Sequence, residues 1–224
     1  MGARRKPRPF SFPMTFRFHG LLDPLLVAAD EALRALSGAS SSARPMPQGE
    51  SARASEPERR HSAGLMRVNH TGEICAQALY SGQSLFARDA RVRDALRRAA
   101  QEERDHLSWC RARLDELGSR PSFLDPVWYV GSFALGAASG LAGDRWSLGF
   151  LAETEDQVER HLEGHLERLP ATDGRSRAIV AQMRDDEARH GAMGRELGAR
   201  ELPGVVRRAM QASARVMTRT AYWV

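Results

Sequence analysis

Two short stretches of the chain repeat one pattern: "QEERDH" carries Glu103 and His106, and "RDDEARHGAM" carries Glu187 and His190. In each, an acid stands immediately before the glutamate, Glu102 in the first and Asp186 in the second. On an α-helix, positions i and i+3 share a face, so the glutamate and histidine of each stretch point into one groove. One such pair on a charged helix is ordinarily a solvated face. Two pairs on separate helices ask for a fold that brings them level, and this narrows the architecture more than any other feature.

Helices are what the rest of the chain favours. Aromatic residues make up 7% of it, and Ala, Leu, Arg and Glu, all strong helix formers, are abundant. With 42% hydrophobic residues, 224 residues suffice for one core, with or without a tail. Breaker clusters punctuate the chain: a polar turn near Asp89, "GSRPS" at 118–122, "GDR" at 143–145, "PATDG" at 170–174 and "PG" at 203–204. They predict helices over 58–88, 92–117, 125–142, 146–169, 175–198 and 203–220. Upstream, residues 21–38 have apolar positions at helical spacing and predict a short amphipathic helix. Residues 38–57 read as a Ser/Pro/Gly linker, dividing an N-terminal region, 1–57, from a helical domain, 58–224. Residues 1–20, basic and without an acid, read either as a transit-like tail or as a stretch upstream of a start at Met14.

Each Glu-x-x-His helix is preceded by a helix with a candidate inward glutamate. Glu73 lies among small and apolar residues in "NHTGEICAQALYSGQ", and Glu153 and Glu155 lie in "FLAETEDQVERHL". From Glu73 the chain rises about 14 residues to its turn and descends about 12 to Glu103, so at about 1.5 Å per residue the two carboxylates come level. The same holds from Glu155 to Glu187. The stretch between His106 and Glu155 is long enough for a turn, a return helix and a second turn. The predicted fold is therefore all-α: a ferritin-like four-helix bundle with a long crossover and two additional hydrophobic or amphipathic helices. One Glu from each of two helices and Glu-x-x-His from each of the other two is the ligand set of dimetal carboxylate bundles. Four carboxylates and two neutral imidazoles would balance two divalent cations, whereas without metal the carboxylates would repel and hold protons. Mixed oxygen and nitrogen donors suit iron or manganese. A metal-bound histidine usually donates its other N–H to a carboxylate. Asp186 is accordingly predicted to orient His106, and Glu102 to orient His190, across the bundle.

The formal charge is +5, and Lys6 is the one lysine, so the base is nearly all arginine. Basicity suits nucleic acid or an anionic membrane. A metal-free nucleic-acid module gives no reason for six level ligands, and no nucleic-acid partner is expected. The glycine-rich stretch Pro126–Gly143 predicts close packing or interfacial immersion rather than a transmembrane helix, with Trp128, Tyr129 and Phe133 as interfacial anchors. In Val205–Val224, the residues Val206, Met210, Met217 and Trp223 interleave with Arg207, Arg208, Arg215 and Arg219, the pattern of a helix lying on an anionic surface. Cys75 and Cys110 read as plain thiols of a reducing compartment. No Gly-x-Gly-x-x-Gly follows a strand, so no Rossmann nicotinamide site is indicated.

The succession "MRVNHTGE", "QEERDH", "ETEDQVERHLEGH", "DDEARHG" is similar to the bacterial branch of the demethoxyubiquinone hydroxylase family over roughly residues 60–224, and helix 21–37 is also similar to bacterial members. The resemblance implies a di-iron monooxygenase that uses O2 to hydroxylate a polyprenylated methoxy-methyl-benzoquinol in ubiquinone biosynthesis. It implies two iron ions, with Glu73, Glu103 and His106 on one side, Glu155, Glu187 and His190 on the other, and one or more glutamates bridging. His161 matches a family histidine near the site. Leu162 follows it where some members have a tyrosine proposed to help move electrons or protons. NADH or the quinol itself would supply electrons. The same resemblance implies a peripheral protein at the cytoplasmic face of the bacterial inner membrane, with the membrane surface, other ubiquinone-biosynthesis proteins or a second copy as partners. A ferritin-like iron store or a peroxidase uses similar ligands and stands as the alternative. A radical-generating reductase subunit would need a tyrosine beside the iron, and only Tyr80 qualifies by position.

Overall fold

Residues 23–39 and 41–224 are described by a computed structural model; the reading of residues 1–20 lies outside them. Among the described residues the chain forms α1 (Asp23–Ser37), α2 (Glu56–Phe86), α3 (Ala90–Glu116), α4 (Asp125–Leu141), α5 (Asp144–Arg168), α6 (Gly174–Glu196) and α7 (Gly204–Trp223). They contain no strand, only an isolated antiparallel bridge between Ser51 and Asp173. The fold is all-helical, and the observed ends fall within about three residues of those predicted, α7 running on through Trp223.

The ends have identifiable causes. Ser55 caps α2 in a capping box with Glu58, with Pro57 in the first turn. Asp89 caps α3 by accepting from the Arg91 amide at 2.8 Å, and Asp173 caps α6 by accepting from the Ser176 amide at 2.9 Å. Gly118 at φ 67° and Gly143 at φ 105° turn the chain out of α3 and into α5. The Asp144 carboxylate accepts from the amides of Arg88 and Asp89 at 3.0 and 2.8 Å, tying the α2–α3 turn to the start of α5.

Helices α2, α3, α5 and α6 form the bundle, α2 pairing with α3 and α5 with α6. Two apolar layers fill it. One gathers Leu65, Met66, Leu114, Leu162, Ile179 and Met183. The other gathers Tyr80, Leu96, Leu148 and Leu151. On each of the four helices the candidate ligands fall between residues of these two layers. Cys75 and Cys110 are free thiols, and burial pushes Cys75 up to about 12, so it stays a neutral hydrophobe at neutral pH.

The crossover helix α4 lies along α2 at a separation only glycine permits. A Cβ on Gly136 would lie 2.3 Å from the Leu79 carbonyl oxygen, and one on Gly82 would lie 2.5 Å from that of Phe133. Gly136→Val is expected to destabilise the fold by about 3 kcal/mol, because a whole helix must move to admit the side chain. A chemical-denaturation midpoint equal to wild type would contradict this packing.

That same face explains a correction. Tyr129, Phe133, Gly136 and Gly140 recur at helical spacing and turn together toward α2. Tyr129 is therefore buried and Phe133 packs against the cluster of Ile74, Ala78 and Leu107, instead of anchoring the outer surface, while Trp128 is half-buried. The outward positions of the segment are Phe123, Val127, Val130 and Leu135. No helix among the described residues is long and apolar enough to cross a membrane.

Residues 41–55, read from composition as a linker, run as an extended strap over the bundle. The Ala52 amide donates to the Thr172 carbonyl at 3.0 Å, and the Ser51 hydroxyl accepts from the Arg175 amide at 3.1 Å. Helix α1 packs Ala35 against Ile74, Ala78 and Leu107 and leaves Leu26, Val27 and Leu33 exposed.

Candidate metal centre

Between the two apolar layers sit six polar side chains that an ordinary core would not hold. Glu73, Glu103, Glu155, Glu187, His106 and His190 are each at most 5% exposed. Burying a carboxylate costs several kcal/mol unless something compensates its charge.

The two Glu-x-x-His pairs are arranged almost as mirror partners. Glu103 places Oε2 3.0 Å from Nδ1 of His106 and Oε1 3.0 Å from Nδ1 of His190. Glu187 places Oε2 3.1 Å from Nδ1 of His190 and Oε1 3.2 Å from Nδ1 of His106. Each glutamate thus spans both histidines with separate oxygens. Glu73 stands at the His106 end, with Oε2 3.7 Å from its Nδ1. Glu155 stands at the His190 end and accepts from the Tyr80 hydroxyl. Donor atoms of Glu73, Glu103, His106 and Glu187 lie within 4.8 Å of one another, and so do those of Glu155, Glu187 and His190. Glu153, the other acid weighed on α5, instead accepts from Gln157 at 2.7 Å and stays outside the cluster.

Electrostatics show what the cluster lacks. Burial pushes the Glu73 and Glu155 carboxyls well above the usual carboxylate range, and the neighbouring Glu103 and Glu187 push them further. Burial acts on Glu103 too, but hydrogen bonds from His106 and the nearby His190 outweigh it and hold that carboxyl low. Burial alone would lower both imidazoles. Hydrogen bonds to Asp186, Glu103 and Glu187 raise His106 well above its ordinary value, and the facing carboxylates of Glu102 and Glu103 do so for His190. In metal-free protein, protons therefore do the neutralising. Divalent cations would displace them, with both Nδ1 atoms already aimed inward and Glu103 Oε1 buried without a hydrogen-bond donor. This donor set is compatible with metal binding, and its mixed oxygen and nitrogen donors suit iron.

The acids before each motif lie behind the histidines. His106 Nε2 donates to Asp186 Oδ2 at 2.8 Å, and Asp186 is fully buried. Burial opposes ionisation of Asp186, yet hydrogen bonds from His106, Arg189, Gln182 and Arg44 hold its carboxyl far below the usual range. An ionised carboxylate can only accept, so Nε2 carries the hydrogen and Nδ1 is left for a metal. On the other side Glu102 Oε2 is 3.5 Å from His190 Nε2, an ion-pair distance rather than a hydrogen bond, and the Glu102 side chain is 36% exposed. Arg189 links the two acids, reaching Asp186 Oδ1 at 2.6 Å and Glu102 Oε2 at 3.1 Å.

His161 is not among the clustered donors. It lies on the wall of a largely apolar cavity of about 520 Å³ between α2, α4, α5 and α7 that reaches Glu73 at its inner end. Its Nε2 is buried without a partner, and its ring packs against that of His165 at 4.0 Å between centroids, tilted by 57°. Burial, aided by Arg168, lowers His161 to about 4; burial, aided by His161 and Arg168, lowers His165 to about 2. Both are neutral at pH 7. A histidine whose folded pKa is depressed contributes no penalty above its unfolded value near 6.5 and destabilises the fold as pH drops below it. At pH 5.5 each costs about 1 kcal/mol. His165→Leu is expected to flatten the loss of stability of the metal-free protein between pH 7 and 5.5 by about that amount. An unchanged slope in denaturation curves at the two pH values would show that the pair is already charged in the fold.

Two site residues were not singled out by motif: Tyr80, weighed only as a radical candidate, and Arg44, whose guanidinium reaches Asp186. Tyr80 stands two turns beyond Glu73 on the same helix, which is a legible signal. Arg44 lies in a stretch whose composition reads as linker and gives none.

The chain is 57% identical to the 3-demethoxyubiquinol 3-hydroxylase of Bordetella petrii over 223 residues, covering 96% of this chain and 95% of the relative. It is 57% identical to the enzyme of that name from Chromobacterium violaceum, covering 91% and 100% of the two chains, and 58% identical to that of Cupriavidus necator, covering 90% and 99%. The model of the family described as ubiquinone biosynthesis protein COQ7 matches residues 60–221, which contain all of the bundle but the first turn of α2 and hold all six clustered ligands, and the chain belongs to that family.

Proposed function

We propose that this protein hydroxylates the ring of a polyprenylated methoxy-methyl-benzoquinol, using O2 and two iron ions, as its relatives' shared name of 3-demethoxyubiquinol 3-hydroxylase suggests. One observation carries the reading furthest: the apolar cavity ends at Glu73, so a greasy ligand in it would present its head to the carboxylate cluster. Glu73, Glu103 and His106 would hold iron on one side and Glu155, Glu187 and His190 on the other, with Glu103 and Glu187 each within reach of both. When bound, the iron pair supplies the redox chemistry that activates O2.

The chain's own residues do the rest. Asp186 fixes the His106 tautomer through Nε2–H, and Glu102 serves His190 more loosely. Tyr80 holds a proton at its hydroxyl toward Glu155, since burial and the surrounding carboxylates, Glu155 foremost, keep the phenol un-ionised. Leu79, Phe150 and Leu162 line the cavity and exclude water from the ring's path. His161, neutral on the cavity wall, is placed to take or give a hydrogen bond at the quinol head, and Leu162 excludes any role for a tyrosine there. NADH or the quinol itself supplies electrons.

The polyprenyl tail requires an entrance at a bilayer. Exposed apolar side chains on α1, α4 and α7, with the arginines of α7, support a peripheral position at the membrane, which the reading puts on the cytoplasmic face of the bacterial inner membrane. Mass spectrometry of quinones in a strain lacking this chain tests the activity. Accumulated demethoxyubiquinol, cleared by wild type but not by Glu187→Ala, is the expected result. A normal quinone profile together with altered iron content would support an iron store and overturn the hydroxylase reading.

A further inference from the structure

We propose that Arg44 is a positioning residue of the metal centre, holding His106 through Asp186, and that it makes the N-terminal strap a working part of that centre. The inference rests on the assignment of the carboxylate–histidine cluster as a metal site.

Ser42 and Ala43 deliver the side chain. The Ala43 amide and the Ser42 hydroxyl donate to Asp105 Oδ1 at 2.7 and 3.1 Å, and the Trp109 indole N–H donates to the Ser42 hydroxyl at 3.1 Å. The guanidinium then stacks 4.9 Å from the centre of the Trp109 ring and enters between two buried carboxylates. Its Nε donates to Asp105 Oδ2 at 2.7 Å, and its Nη1 to Asp186 Oδ2 at 2.8 Å. Asp105 and Asp186 are 2% and 0% exposed, so without a cation between them their charges would stand close together in the core. A planar fork of donors can serve both at once.

One oxygen is decisive. Asp186 Oδ2, which Arg44 holds, is the same atom that accepts the His106 Nε2 hydrogen, while Oδ1 is held separately by Gln182 at 2.8 Å and Arg189 at 2.6 Å. Arg44 therefore sets the oxygen that aims His106 Nδ1 at Glu103, Glu187 and Glu73. Its Nη2 also lies 3.3 Å from Nε2 and covers that edge of the ring. The His190 half has only a looser counterpart: Arg189, 56% exposed, reaches at 3.1 Å the Glu102 oxygen that faces His190 Nε2. Its acid is Glu102, longer by one methylene, partly exposed and 3.5 Å away. The two iron positions thus differ in tightness, and the strap accounts for the tighter one.

The test uses the full chain as wild type, Arg44→Gln and Arg44→Lys, titrated anaerobically with ferrous ion against a competing chelator, with the melting temperature of each metal-free form measured alongside. Wild type is expected to show one tight and one weaker equivalent. In Arg44→Gln the tight equivalent weakens about 10- to 100-fold, the usual effect of losing an outer-shell partner, and the weaker one stays put. Arg44→Lys falls between, because an ammonium reaches one carboxylate at a time. Wild-type affinity at both positions in the variants, whatever their melting temperatures, overturns the proposal and reduces Arg44 to a pin for the strap. Equal weakening of both positions overturns it as well. If Arg44→Gln does not fold, the lysine variant decides by the same criterion. Wild type that binds no iron at all overturns the metal reading and this proposal together, an outcome distinct from the others.

Discussion

Glu187→Ala is expected to empty both iron positions rather than one. Each oxygen of Glu187 faces a different imidazole, at 3.1 Å from His190 and 3.2 Å from His106, so its removal takes a donor from each site at once. It also removes a negative charge that two adjacent dications need between them. Wild type should carry about two irons per chain when purified under iron-replete conditions. The variant should carry far less than one, and its melting temperature should no longer respond to added ferrous ion, since stabilisation by mass action needs a folded-state site. Glu73→Ala provides the contrast. Glu73 belongs to the His106 group alone, so that variant should keep a substantial part of one equivalent. Elemental analysis decides: full iron in Glu187→Ala, or equal losses in the two variants, would contradict the bridging arrangement.

Helical periodicity made most of this centre legible in the chain. Glu-x-x-His places two donors on one face wherever the helix lies, and matched arm lengths bring four helices level, so the six clustered residues could be named before any coordinates. That one or more glutamates bridge is implied by the resemblance, but which of them span both histidines is not. Assigning Glu187 to one half and Glu103 to the other is what the family resemblance implies, but the observed spanning of both histidines depends on the rotation of each helix about its own axis. Sequence spacing fixes that only to within a side-chain width. The close packing of α4 expected from its glycines is observed, but the side on which its aromatics lie differs for a related reason. Aromatic residues beside glycines suggested an interfacial belt, whereas Gly136 and Gly140 mark the side that touches α2, and Tyr129 and Phe133 share that side. The strap shows the limit most plainly. Ser, Pro and Gly are the residues of a solvated linker, and they are also suited to an extended chain pinned by backbone hydrogen bonds. Arg44 and Asp105 lie far apart in sequence, and nothing local in "SSSARPMPQGE" announces their meeting. Glu102 and Asp186, equivalent in the motif, also diverge in the fold, one at the bundle surface and the other sealed beneath Arg44.

Reversing the charge of α7 is expected to detach the protein from anionic membranes. Arg208, Arg215 and Arg219 are exposed and Arg207 is half-buried, and Val205, Val216 and Trp223 stand exposed on the same helix. Meanwhile Met210, Ala214 and Met217 turn inward and form one wall of the cavity. A single helix thus presents a basic and apolar outer surface while lining the route to Glu73, which is what delivery of a bilayer-borne quinol requires. Each arginine near anionic headgroups contributes about 1 kcal/mol at moderate salt, so removing four attractions weakens vesicle binding by about 1,000-fold, and replacing them with glutamate weakens it further. Wild type should bind vesicles containing phosphatidylserine or phosphatidylglycerol, and lose them as salt rises toward the range where the Debye length is a few ångströms. The Arg207→Glu, Arg208→Glu, Arg215→Glu, Arg219→Glu variant should sediment with neither anionic nor neutral vesicles. Its activity on a long-tailed quinol should collapse, while that on a short-tailed quinol dissolved in water should be largely kept, because the carboxylate cluster and, Arg215 apart, the cavity wall are untouched. Equal losses on both substrates would point to a damaged cavity. Unchanged binding to anionic vesicles would leave α7 as a cover for the bundle, with its arginines merely solvated.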